Sequence, residues 1–209
     1  MIANIVSGAP NLWLPESLEG YIIGTDRGAL TLIEKGYQIE VAIGDFDSVS
    51  TEELSIIKNS VSNCIILPKE KDITDTEAAI DYAIEKGFTK IKLYGTFGAR
   101  IDHEYASLLL MLKYTKRNIS ISMANAQNNI TVLKPGIHEF ETVGFSYISF
   151  FAMDETVKNL SLQKVKYPLS GFDLSVDNSL CVSNEPVEKS VEIAFDAGFL
   201  LVVESMEDK

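Results

Sequence analysis

Short apolar runs alternate with helix-period stretches through the first 125 or so residues of the chain. Ile2 to Val6 and Tyr21 to Thr25 read as strands, and a helical stretch from Ala29 to Lys35 stops at Gly36. Val41 to Ile43 is a strand and Thr51 to Lys58 a helix. Cys64 to Leu67 is a buried strand closed by Pro68. Thr74 with Glu77 three residues on is a capping-box signature for a helix running to Lys86. Lys90 to Tyr94, a long helix from Ile101 to about Lys116, and Ile119 to Met123 complete the series. Such alternation predicts an α/β fold with a mostly parallel sheet flanked by helices. Near Ala126-Gln127-Asn128-Asn129 the helical period disappears. Ile137–Val143, Phe145–Met153, Val157–Val165, Phe172–Val176, Ser179–Ser183, Val191–Ala194 and Phe199–Ser205 read as strands punctuated by Gly, Pro, Asp and Asn. A C-terminal antiparallel β-sandwich or barrel is expected, with the boundary between residues 125 and 126.

In an open parallel sheet, ligands bind outside the carboxyl ends of the strands. Four segments fall there: Asp26-Arg27-Gly28, Asp45-Phe46-Asp47, Lys71-Asp72-Ile73-Thr74-Asp75, and Gly95 to Arg100. In extended backbone Asp45 and Asp47 would aim at one point, with Phe46 turned into the fold. Two carboxylates about 4 Å apart repel by roughly 4 kcal/mol at an effective dielectric near 20, so a positive partner is expected. Mg²⁺ is one such partner, held by carboxylates and substrate phosphates; a solvated turn or an N-cap is the plainer reading. Asp72 and Asp75 sit at a helix start, where one can cap while the other faces a metal. Asp26 is either a turn residue or a site residue. Gly95 and Gly98 let backbone approach a ligand, and Arg100 offers a planar fork to phosphate oxygens. Asp102-His103 opens the following helix, where both could be structural. Trp13 and His138 read as packing residues. Ser183-Asn184-Glu185 reads as a turn, and no Ser/His/Asp or Cys/His arrangement can be assembled.

A hydrophobic content of 46% over 209 residues supports a substantial core. The net charge of −12 argues against nucleic acid or an anionic membrane as main partner. The two cysteines, Cys64 and Cys181, lie far apart in apolar runs, as expected of buried free thiols in a reducing cytoplasm. Met1 to Val6 carries no basic segment, so no signal peptide is expected. No apolar run reaches the roughly 18 residues of a membrane span.

Taken in order, these segments resemble the thiamine pyrophosphokinase family. Gly44-Asp45-Phe46-Asp47-Ser48 matches its most distinctive motif, and Asp72-Ile73-Thr74-Asp75 fits its Asp-x-Thr-Asp. Gly95-Thr96-Phe97-Gly98-Ala99-Arg100-Ile101-Asp102-His103 is similar to its Gly-Arg-x-Asp-His loop. Lys166-Tyr167-Pro168-Leu169 and Ser183-Asn184-Glu185 resemble its C-terminal signatures. Arg27, Lys71 and Ala99 depart from residues common in the family, and the second half has no Trp. The resemblance implies a cytoplasmic, Mg²⁺-dependent homodimer that transfers pyrophosphate from ATP to the hydroxyl of thiamine, leaving AMP. It implies an α/β catalytic domain over 1–125 and a β-sandwich domain over 126–209 for thiamine and dimerisation. It implies Mg²⁺ on Asp45, Asp47 and Asp75. Asp72, Asp75 and Arg100 join Asp45 and Asp47 in catalysis, with Asp72 or Asp75 as the proton acceptor. ATP falls to Asp26, Lys71, Gly95, Thr96, Gly98, Arg100, Asp102 and His103, and thiamine to Tyr167, Ser183 and Asn184. Two other readings stay open: a phosphohydrolase using Asp45 as nucleophile, and a non-catalytic nucleotide- or thiamine-binding module.

Overall fold

The computed structural model describes residues 1–10, 12–98, 100–142 and 144–207. Ala99, in the expected glycine loop, and Val143, at the expected end of a strand, lie outside the described residues. The chain divides into two units, Met1–Leu110 with Asn118–Ala126, and Met111–Arg117 with Gln127–Lys209.

The first unit runs β1 (Ile2–Val6), β2 (Tyr21–Thr25), α1 (Arg27–Glu34), β3 (Val41–Gly44), α2 (Thr51–Ser60), β4 (Cys64–Ile66), α3 (Asp75–Glu85), β5 (Lys90–Tyr94), α4 (Ile101–Lys116) and β6 (Ser120–Ala124). The last turns of α4 group with the second unit. Its strands pair in the order β4-β3-β2-β1-β5-β6, all parallel. Strands covered on both faces read as unbroken apolar runs, and β3 is buried at every residue. β4 is the exception to the expectation of a buried strand. It ends the order, and Ile66 is 55% exposed. Ser50 starts α2 with a reciprocal capping box to Glu53, and Thr74 accepts from the Glu77 amide at the start of α3. From the central β1 the chain steps outward through β2 and β3 to β4, then crosses back to β5 on the other side. The direction of winding therefore reverses between β1 and β5, and ligands collect at such a point.

The second unit holds β7 (Asn128–Leu133), β8 (Gly136–Glu141), β9 (Tyr147–Ala152), β10 (Val157–Gln163), β11 (Leu169–Leu174), β12 (Ser190–Phe195) and β13 (Leu200–Ser205). β13 pairs antiparallel with β7 and β9, and β11-β10-β12-β8 form a separate antiparallel sheet. Ile148 and Phe150 of β9, Leu160 and Leu162 of β10, Val191 and Ile193 of β12, and Leu200 and Val202 of β13 form one buried core. The sandwich expected from the sequence is present, with two differences. β7 has no counterpart among the predicted strands, because its apolar alternation is short and opens on Asn128-Asn129. Ser179–Ser183 is a turn, not a strand. Asn178 Oδ1 accepts from the Leu180 amide, and Ser183 takes φ +57°.

His138 is structural in its surroundings. Its Nε2 lies 2.8 Å from the Lys134 carbonyl, and its ring stacks on Phe195. Cys64 is half-buried and Cys181 buried, both free, and burial pushes both thiols up. No helix is long and apolar enough to cross a membrane among the described residues.

Candidate active site

A cavity of about 530 Å³ opens at the carboxyl ends of β1, β2, β3 and β5. Ser7 to Pro10 after β1 and Gly95 to Phe97 after β5 line it from the two strands flanking the switch point. Thr25-Asp26 closes β2. Asp45, Asp47 and Ser48 follow β3, Thr74 to Thr76 open α3, and Arg100, His103 and Ser107 come from the start of α4.

Backbone conformation decides how the carboxylates meet. Extended backbone through Asp45 and Asp47 is not what forms: Phe46, buried as expected, takes φ +57° and breaks the strand. Asp45 Oδ1 instead accepts from the Asp47 amide at 3.1 Å. Asp26 also has positive φ, +46°, a region that a residue with a Cβ enters only when its surroundings hold it there. Its Oδ1 accepts from the Phe46 amide at 2.9 Å, so the two unusual residues support one another. Gly44 makes room for this, since a Cβ there would stand 2.1 Å from Asp26 Oδ1. Gly95 is needed in the same way. At φ +67° its added Cβ would fall 2.0 Å from the Ser7 carbonyl oxygen.

The outcome is that Asp26, Asp45 and Asp75 each place an oxygen within 4.8 Å of the others. Asp47 lines the same cavity but is not part of that trio. Asp75 Oδ1 is buried and takes no hydrogen bond among the described residues, although the Lys71 ammonium lies 3.3 Å away. Lys71 Nζ donates to Asp45 Oδ2 at 2.7 Å. That hydrogen bond pulls the Asp45 carboxyl below the usual range against opposing burial, with help from the Asp47 amide and the Lys71 charge. Burial alone would lower the Lys71 ammonium, but its hydrogen bond to Asp45 and the negative charges of Asp75 and Asp45 beside it outweigh burial and raise it. Asp26 makes no ion pair among the described residues. Burial first, then the charge on Asp75, push its carboxyl up to about 7, against the Phe46 amide, with Asp45 and Asp47 adding to the rise. A buried, unbonded oxygen beside two further carboxylates is a donor set of hard oxygens, which fits a divalent cation such as Mg²⁺.

Other sequence candidates are spread unevenly. Asp72 is exposed and outside the cavity lining. Thr96 is buried in the wall with its hydroxyl donated to Met123 Sδ. The Gly98 amide donates to Glu104 at 2.9 Å, and Gly98 itself does not line the cavity. Arg100 reaches the rim, but its guanidinium is paired with Asp102 at 2.6 Å in an exposed bond. That bond raises Arg100 and lowers Asp102. His103 lines the cavity while Asp102 does not. In the second unit, Tyr167, Ser183 and Asn184 lie in one loop cluster. Asn184 is buried. Its Oδ1 accepts from the Tyr167 and Glu185 amides, and its Nδ2 donates to the Tyr167 carbonyl. Its amide thus holds the two loops together. Ser183 is exposed and its amide donates to Ser149 Oγ. Tyr167 is exposed under the Lys166 ammonium.

Ser7, which no motif indicated, joins the site, and Arg27 and Trp13 lie near it without lining the cavity. Ser7 Oγ lies 2.9 Å from Thr76 Oγ1 and accepts from Thr25 Oγ1 at 3.2 Å, a chain of hydroxyls joining β1, β2 and α3. The position of Ser7 at the end of the central strand was the signal available in the sequence. Arg27 donates to the Ser48 carbonyl at 2.7 Å and pairs with Glu53, tying the β3 loop to α1 and α2. Trp13, 40% exposed, lies 6.3 Å from the Tyr94 ring at the end of β5.

Carboxylates gathered at the switch point of a parallel sheet, beside a glycine-turned loop and an arginine, define an α/β phosphotransferase with an added β-sandwich unit. Comparison with known proteins sharpens this. A family model described as "Thiamin pyrophosphokinase, catalytic domain" matches residues 13–123. A second, "Thiamin pyrophosphokinase, vitamin B1 binding domain", matches residues 137–200. The thiamine pyrophosphokinase of Bacillus subtilis is 34% identical over 98% of each chain. Its crystal structure superposes with a TM-score of 0.92 at 33% identity, covering all of both chains. A thiamin pyrophosphokinase family protein from Enterococcus faecalis gives 0.90 at 31% identity, again over all of both chains. The chain belongs to the thiamine pyrophosphokinase family. The phosphohydrolase and binding-module readings are not favoured.

Proposed function

We propose a division of labour for the reaction of this family, ATP-dependent transfer of pyrophosphate to thiamine, which this chain carries out. The thiamine hydroxyl oxygen bonds to the β-phosphorus of ATP, the β-phosphorus to bridging-oxygen bond breaks, and AMP leaves with that oxygen. The hydroxyl proton passes to a carboxylate. Of the two acceptors expected, Asp75 lines the cavity and Asp72 does not, which favours Asp75. Asp26, Asp45 and Asp75 would hold Mg²⁺, with Asp47 at its edge. The cation supplies neutralisation of charge on the phosphate oxygens. Arg100 and His103 meet the phosphates from the other wall. To do so, the Arg100 fork exchanges Asp102 for phosphate, a small loss because the pair is exposed and screened by solvent. Thiamine falls to the loop cluster of Tyr167 and Ser183, fixed in place by Asn184. The chain is taken to act as a homodimer in the cytoplasm. Light scattering should then give twice the 23.1 kDa chain mass, and a monomer that turns over at full rate would refute this.

The observation that carries this reading is the trio Asp26, Asp45 and Asp75, each with a carboxylate oxygen within 4.8 Å of the others, with the buried Asp75 Oδ1 taking no hydrogen bond among the described residues. Asp45→Asn and Asp75→Asn should each lower formation of AMP and thiamine diphosphate by at least about a hundredfold, the scale for loss of one preorganised charge-stabilising group. Circular dichroism should show the fold intact. A folded variant that keeps its rate would remove that residue from the site.

A further inference from the structure

From Pro68 to Thr74 the connection between β4 and α3 is exposed at every residue but one. Lys71 turns inward, its side chain 14% exposed against 11% for Asp45 and 21% for Asp75. Its ammonium lies 2.7 Å from Asp45 Oδ2 and 3.3 Å from Asp75 Oδ1, and donates to the Pro68 carbonyl at 3.3 Å. Both carboxylates belong to the trio assigned above to the divalent cation. The lysine and the metal therefore draw on the same negative charge. Asp45 lines the cavity, so the ammonium stands one side chain behind the place where phosphates would lie. A lysine suits this position because its charge is a compact point at the end of a flexible four-carbon stem.

The geometry points to Lys71 as a tethered counter-cation that occupies the Asp45–Asp75 edge and makes tight metal binding conditional on the nucleotide. Alone, a divalent ion meets carboxylates already partly neutralised and is repelled by the ammonium. When it arrives with a triphosphate, the phosphate oxygens give the ammonium a new partner and free the carboxylates for the metal. Metal and nucleotide then bind cooperatively, each raising the affinity of the other by the same factor. Binding of a bare metal, which would fill the site without substrate, is disfavoured. This inference rests on the carboxylate trio being the metal site.

The test measures Mn²⁺ affinity from the electron paramagnetic resonance signal of free Mn²⁺, with and without α,β-methylene ATP, whose bridge cannot be cleaved. Lys71→Gln should bind Mn²⁺ alone at least tenfold more tightly than the unaltered protein. The gain from adding the analogue should shrink correspondingly. Lys71→Arg, which keeps the charge, should stay within about threefold of the unaltered protein. Equal or weaker Mn²⁺ binding by Lys71→Gln would overturn the inference, and Lys71→Met gives the same reading should the glutamine variant fail to fold. Failure of the underlying site assignment looks different. Asp45→Asn and Asp75→Asn would then leave Mn²⁺ binding unchanged even with the analogue present, and the inference would fall with it.

Discussion

Asp26 shows how much of the site depends on single backbone angles. Its φ of +46° and that of Phe46, +57°, meet through one hydrogen bond, and Gly44 is small so that this bond can form. The sequence made Asp45 and Asp75 visible through their motifs. It could not show that Phe46 would leave the extended region, so the pairing of carboxylates by strand alternation went astray. Asp26 joins the trio because of that same turn. The carboxyl of Asp26, raised to about 7 by burial and by Asp75, has a consequence for stability. The folded protein holds this proton more tightly than the unfolded chain. Its contribution is fully present below the ordinary aspartate value and is lost as pH rises through about 7. In chelator, the protein should melt lower at pH 8 than at pH 6, and Asp26→Asn should flatten that difference. Asparagine keeps the acceptor for the Phe46 amide, so an unchanged slope in the variant would place the proton elsewhere.

At the scale of elements, what the sequence displayed best were buried parallel strands and capped helices, because each leaves a contiguous mark. β1, β2 and β5 begin and end where the apolar runs do. Marks that depend on partners were harder to see. β7 is made a strand by its ladder to β13, not by its own pattern. Leu180 and Val182 look like strand residues but sit exposed on a turn. The hydroxyl chain of Ser7, Thr25 and Thr76 joins three elements distant in sequence, and no spacing rule announces it. Arg27 is the clearest case of an element-level role. Its guanidinium holds the Ser48 carbonyl and Glu53, joining α1 to the β3 loop and α2. Arg27→Ala should leave stability within about 1 kcal/mol, because its ion pair is exposed. The Michaelis constant for ATP should rise several-fold as the β3 loop loosens. A fall in stability with no change in that constant would make Arg27 a packing residue.

At the scale of the whole molecule, each unit has a buried apolar cluster of its own. Val6, Leu30, Leu32, Ala42 and Ile57 lie in one, and Ile148, Phe150, Leu160, Ile193 and Val202 in the other. Every named element after α4 is a strand, and helix period and strand alternation cannot both satisfy one segment. The chain also holds one tryptophan, Trp13, whose ring lies 6.3 Å from that of Tyr94 at the end of β5. Its indole is therefore a built-in optical reporter at the end of β5, where Gly95 to Phe97 line the cavity. Titration with α,β-methylene ATP and Mg²⁺ should shift its emission and saturate, and thiamine alone should leave the spectrum still. A spectrum indifferent to nucleotide would mean that the wall after β5 stays unmoved by ligand. Occupancy of the nucleotide side can thus be followed without label, coupling enzyme or turnover.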